Sequence, residues 1–189
     1  MNTTRTRFAL CLSSLLLSSA AWSQAPTPQT PPAPAAACTW ADGQDPAGPR
    51  GDTGRGVSDW RAHFAYITAG TRAGTAAMVF ARFEALRGCL SAGDFARLYA
   101  DISTQIAYYG RRGAGWLDRP DTRAGADGGR GIASYQAHYD FAADASRGAT
   151  ASGFVRQRLT DLNGPLSADA YAHLYADVSI LVARYGRPH

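Results

Sequence analysis

The six residues LYADIS at 98–103 return as LYADVS at 174–179. A shift of 76 also sets Leu90-Ser91-Ala92 on Leu166-Ser167-Ala168 and Tyr109-Gly110-Arg111 on Tyr185-Gly186-Arg187, and a shift of 75 sets His63 on His138 and Arg72 on Arg147. Self-similarity at a fixed spacing is the mark of a supersecondary unit used more than once. It predicts a unit of about 75 residues present twice in tandem, one copy over 38–113 and the other over 114–189. Two copies are too few to stack as a solenoid, so each must bury its apolar face within itself or against the other.

The pattern inside the unit is helical. Phe95, Leu98, Ile102, Ile106 and Tyr109 recur at spacings of three and four, and Tyr171, Leu174, Val178, Val182 and Tyr185 repeat that stripe. Ser91 and Ser167 stand where N-caps belong, and Gly110 and Gly186 where a C′ glycine would end each helix. Trp60, Phe64 and Ile67 match Tyr135, Tyr139 and Ala142 on a first helix, while Met78–Leu86 match Phe154–Leu162 on a second. With no period-two run, the expected fold is all-α: a tandem duplication of a three-helix unit, about six helices, with a long Asp/Gly-rich loop before each unit. The first copy has Cys38 and Cys89 where the second has Ala114 and Pro165. That difference favours one domain stabilised across the copies.

The N-terminus reads as an export signal. Arg5 and Arg7 precede the apolar stretch FALCLSSLLLSSAA, and Ala21 and Ser23 supply the small residues before an expected cleavage at Gln24. Residues 24–37, QAPTPQTPPAPAAA, form a Pro/Ala-rich linker of roughly 40 Å at full polyproline rise. Export to a periplasm or the extracellular space is therefore expected, with no stable membrane span after cleavage. Two cysteines then remain, and oxidation would join Cys38 to Cys89. Removing Arg5 and Arg7 from 19 arginines leaves 17 against 15 acids, scattered and not in a stripe. Nucleic acid is accordingly excluded as a partner.

Each copy also carries a loop of the form WxDxxD followed by DxGRG. The candidate binding residues are Trp40, Asp42, Asp45, Asp52 and Arg55 in the first, and Trp116, Asp118, Asp121, Asp127 and Arg130 in the second. Hard oxygen donors among glycines suit Ca²⁺, and tryptophan beside carboxylates suits a sugar or a cationic group. The same residues also suit Asx turns, Arg–Asp pairs and tryptophans covering a core edge. Secondary candidates are His63 and His138, which symmetric packing would bring together, and Tyr99, Tyr175, Asp101 and Asp177 of the repeated phrase. Asp101 and Asp177 lie one turn after Arg97 and His173, a spacing that predicts surface ion pairs. Arg72 with Thr75, echoed by Arg147 with Thr150, could receive an anion at a helix start or tie down a loop.

No cofactor fingerprint occurs, and Ca²⁺ is the one ion the loops suit. The reading that follows is an exported, non-enzymatic binding or interaction protein with a protein or small-molecule ligand in the cell envelope. The alternatives are a metal-assisted hydrolase of envelope material using His63 or His138 with loop aspartates, and a structural protein whose loops bind Ca²⁺.

Overall fold

Helix starts follow the polar punctuation of the sequence. In the computed structural model, which describes residues 38–41, 55–70, 72–117 and 130–187, α1 (Trp60–Ala69) begins after Asp59, whose carboxylate accepts from the Arg61 amide. Ser91 accepts from the Asp94 amide ahead of α3 (Ala92–Gly113), Ser134 from Ala137 ahead of α4 (Tyr135–Ala143), and Ser167 from Ala170 ahead of α6 (Ala168–Gly186). Each cap satisfies an amide that the first turn leaves without an intrahelical acceptor. α2 (Thr75–Arg87) uses backbone instead: Gly74 turns into it at φ 85°, a conformation that costs glycine little. A 3₁₀ turn (Ala145–Arg147) leads into α5 (Gly148–Leu162). No strand occurs among the described residues.

The two long helices carry the stripes expected of them. Phe95, Leu98, Ile102 and Ile106 on α3 are buried, as are Tyr171, Leu174, Val178 and Val182 on α6. Each such side chain contributes about 1.5–3 kcal/mol relative to an exposed one. The helix ends differ from expectation. Gly110 lies inside α3 and Gly186 is the last residue of α6, so neither is a C′ glycine. The left-handed residue after α3 is Gly115, at φ 64°. Its turn lets both the Ala114 and Trp116 amides donate to Gly110 O at 3.0 Å.

Packing then crosses between the halves. α1 lies on α6, α4 lies on α3, α2 pairs with α5, and α3 pairs with α6. Hydrogen bonds from Tyr109 to Asp177 and from Tyr185 to Asp101 fix α3 and α6 antiparallel, late residues of one meeting middle residues of the other. One apolar cluster therefore draws on all six helices, with Phe83, Leu98, Ile106, Leu159, Leu174 and Val182 among its members. Neither half retains a complete core without the other.

The crossing also accounts for the single disulfide. Trp116 is placed on the end of α3 by the two residues, Ala114 and Gly115, that join them. Trp40 meets the end of α6 in the same way, its amide donating to Gly186 O at 2.8 Å, yet the chain gives it no such short tether there. Cys38, two residues earlier, is bridged to Cys89 after α2 with a Cα–Cα distance of 5.3 Å. A covalent bond thus anchors the first segment where chain continuity anchors the second, and Ala114 and Pro165 need no bridge. Among the described residues, no helix is long and apolar enough to cross a membrane.

Candidate functional site

The repeated Trp and Arg-Gly elements form two matched anchors. The indole of Trp40 lies against the bare Cα of Gly186, where a methyl group would overlap the ring. Above it the guanidinium of Arg55 sits 5.3 Å from the ring centroid. Gly56 lets its strand of backbone touch Ala41, and Gly56 O accepts from Arg187 Nε at 3.0 Å. In the second half Trp116 lies on Gly110, Arg130 stands 5.1 Å over the indole, and Gly131 meets the backbone of Leu117. Both tryptophans are more than nine-tenths buried. The Trp, Arg and Gly of each loop are thereby used in closing the loop base onto a helix end, by ring burial and cation–π contact. Asp42, Asp45, Asp52, Asp118, Asp121 and Asp127 lie outside the described residues.

Asp101 and Asp177 do not form the expected ion pairs. Arg97 reaches Asp94 at 2.8 Å, and His173 reaches Asp169 at 3.5 Å. These partners lie toward the helix N-terminus on the exposed face, whereas Asp101 and Asp177 face the α3–α6 seam. There Asp177 accepts from Tyr109 Oη at 2.9 Å and from Trp60 Nε1 at 2.8 Å. Asp101 accepts from Tyr185 Oη at 3.0 Å. Burial holds the Asp101 carboxyl above its usual range, against the opposing effect of the Tyr185 hydrogen bond. Burial, then the adjacent carboxylates, pushes both phenols well upward. Such phenols stay protonated and act as fixed donors.

The histidines occupy two matched niches inside the helix layers. His63 and His138 are buried, and their Nε2 atoms lie 2.9 Å from Val57 O and 2.8 Å from Ile132 O. A carbonyl can only accept, so each Nε2 carries a proton. Each ring meets a tyrosine of the opposite half edge-on: His63 with Tyr175 at 6.2 Å and His138 with Tyr99 at 6.0 Å. Tyr99 and Tyr175 are core residues. Tyr99 Oη accepts from the buried Arg158 at 3.4 Å, and Tyr175 Oη points to Met78 Sδ at 3.9 Å. Among the described residues, no three His, Cys, Asp or Glu side chains gather as a metal-binding group.

Arg72 has structural work as well. It donates to Asn163 O at 2.6 Å and Leu166 O at 3.1 Å, beyond the C-terminus of α5, and stacks 5.3 Å over Tyr171. Thr75 donates to Arg72 O at 2.8 Å or meets Tyr171 Oη at 3.1 Å. Arg147 instead pairs with Asp144 at 3.2 Å and stacks 5.1 Å over Phe141.

A feature that sequence reasoning missed lies beside the second anchor. A groove of about 620 Å³ runs along the last turns of α3, lined by Thr104, Tyr108, Arg111, Arg112, Trp116, Leu117 and Ala133. Tyr108 is 48% and Leu117 58% exposed, two of the three large apolar side chains so exposed among the described residues. Arg112 stacks 5.2 Å over the Tyr108 ring and donates to its hydroxyl. By the internal shifts of 76 and 75, the other half carries Ile180, Arg184, Ala41 and Ser58 where this one has Thr104, Tyr108, Leu117 and Ala133. The signal in the sequence was this departure from the repeat, not the repeat. No family model, curated protein or solved structure matches the chain.

Proposed function

We propose that the protein is an exported, non-enzymatic binding module that takes its ligand in the groove beside Tyr108 and Leu117. The observation that carries this reading is the placing of two solvent-exposed large apolar residues in one concavity of ligand size, where Tyr135 is the only other large apolar side chain so exposed among the described residues. Leu117, the exposed apolar residue that follows Trp116, replaces the tryptophans as the contact residue. The leader-like N-terminus and the Cys38–Cys89 bridge support export. A metal-assisted hydrolase is less well supported, because both histidines are buried with Nε2 turned to their own segment's backbone.

Recovery of bound material from the native envelope and extracellular fractions tests the proposal. Wild-type protein should retain a ligand that Leu117→Asp and Tyr108→Ser lose, both variants keeping the wild-type melting temperature. Equal retention by wild type and both variants would remove the groove from the function.

A further inference from the structure

We infer that the surface each half turns to the other is an assembly surface for a second copy of this chain, and that the left-handed turn at Gly115 keeps the pairing within one chain. In the exchanged form the first half of one copy takes the second half of another, and two such pairings close a dimer from contacts already present in the single chain. The inference goes beyond the groove and does not depend on it.

Packing gives the first reason. α1 on α6, α4 on α3, α2 with α5 and α3 with α6 all join one half to the other, whereas α2 with α3 and α4 with α5 touch only slightly. Polar bonds follow the same rule: Thr75 meets Tyr171 Oη at 3.1 Å, Arg72 donates to Asn163 O at 2.6 Å, Arg158 donates to Tyr99 Oη at 3.4 Å and Arg187 donates to Gly56 O at 3.0 Å. A half alone would expose its apolar stripes, so it needs the complementary half from one source or another. The Cys38–Cys89 bridge lies wholly in the first half and leaves that choice open.

The two anchors give the second. Trp116 reaches its seat on Gly110 through Ala114 and Gly115, and Trp40 takes the matching seat on Gly186 with no such link. The seat is thus filled with and without chain continuity, and the same residue of a second copy fits it equally. What favours the single chain is the high local concentration that a short tether gives. That tether returns Trp116 to its own α3 only through Gly115, at φ 64°. A methyl group on Gly115 would have nothing within 4 Å, so a side chain there meets backbone strain and no clash. An extended link relieves the strain and no longer brings Trp116 back to its own Gly110, and strain at a hinge is what favours exchange.

The chain from Gln24 onward, refolded over a range of protein concentrations with its bridge intact, is sized by sedimentation. Wild type should give monomer when dilute and a rising share of dimer when concentrated. Gly115→Val should raise the association constant about thirtyfold or more, because two strained links are relieved in each dimer. Gly74→Val is the control: its glycine is also left-handed, at φ 85°, with nothing within 4 Å, but it lies inside the first half. That variant should melt lower than wild type and associate no more strongly. The Gly115→Val dimer should keep the monomer's tryptophan emission and survive dilution, since its halves part only on unfolding. If Gly115→Val does not fold, Gly115→Ala carries a smaller strain and should show the same change at about tenfold or more. A dimer that dissociates at once on dilution would be a surface contact and would overturn the exchange. Monomer alone at every concentration, in wild type and the Gly115 variant, would overturn the assembly surface. Equal dimer from Gly74→Val would trace association to lost stability and overturn the hinge.

Discussion

Trp60 donates its indole N–H to Asp177 at 2.8 Å across the α1–α6 contact, a bond that Tyr135, at the matched position on α4, has no ring N–H to repeat for Asp101. The two seam carboxylates are thus unequal: two donors converge on Asp177, and one tyrosine donates to Asp101. Asp177→Ala strands two part-buried donors and should cost about 1–3 kcal/mol, with Asp101→Ala costing less. Urea midpoints of the two variants give the ordering, and an equal loss would contradict it.

The pH dependence of stability should carry the mark of Asp101. Its folded-state pKa lies above the ordinary 3.8 because burial disfavours the carboxylate. The folded state therefore holds that proton more tightly than the unfolded state. Its contribution to stability is fully present below the ordinary value and is lost as pH rises through the raised one. In Asp101→Asn this loss should vanish, so that variant minus wild-type stability climbs as pH rises above the ordinary carboxylate value. A flat difference curve would show that the group titrates normally.

At the anchors, Gly110→Ala and Gly186→Ala should each expel an indole from its seat, because the added methyl group overlaps the ring. Overpacking of this kind costs about 1–3 kcal/mol. Tryptophan emission should move to longer wavelength with helicity retained. Unchanged emission in both variants would show that the rings do not need the bare Cα.

Periodicity made the helices legible, and Ser91 and Ser167 marked the starts of α3 and α6. What periodicity could not convey was partnership. The stripe on α3 is equally content against its own first helix or the other half's, and the choice of α4 for α3 and α1 for α6 is made by connections whose geometry no local pattern encodes. Gly110 illustrates the same limit. A glycine near a helix end looks like a stop signal, yet here it is helical and serves a tryptophan six residues later. Spacing offers Asp101 and Asp177 partners only on their own helix, while their true donors come from the opposite half. Tyr108 and Leu117 are hidden for the reverse reason: they break the repeat, and internal similarity points only to residues that keep it.

The disulfide's role as a substitute for chain continuity can be measured by rewiring the chain. A circular permutant that links residue 187 to residue 38 by a short spacer, opened between α5 and α6, would give Trp40 the tether that Trp116 already has. In the natural order, reduction should remove roughly 4 kcal/mol, from the loop of 51 residues' separation that the bridge closes. In the permutant, Cys38→Ser with Cys89→Ser should cost markedly less. Equal losses in the two orders would mean that the bridge acts through the loop it closes, which is the same in both, and not as a substitute for the tether.

Mechanical load gives the bridge a further meaning. If the N-terminal segment is held and the C-terminus is pulled, tension enters at Cys38, crosses the sulfurs to Cys89 and continues into α3. The intervening residues, α1 and α2 among them, hang from that path as a slack covalent loop. They can detach from α6 and α5 under force without lengthening the molecule between its two ends. Reduction would put them in series and add roughly 180 Å of extensible chain. A chain held at Cys38 and pulled from its other end thereby bears load only through the part of its fold that begins after α2, the part that includes the groove.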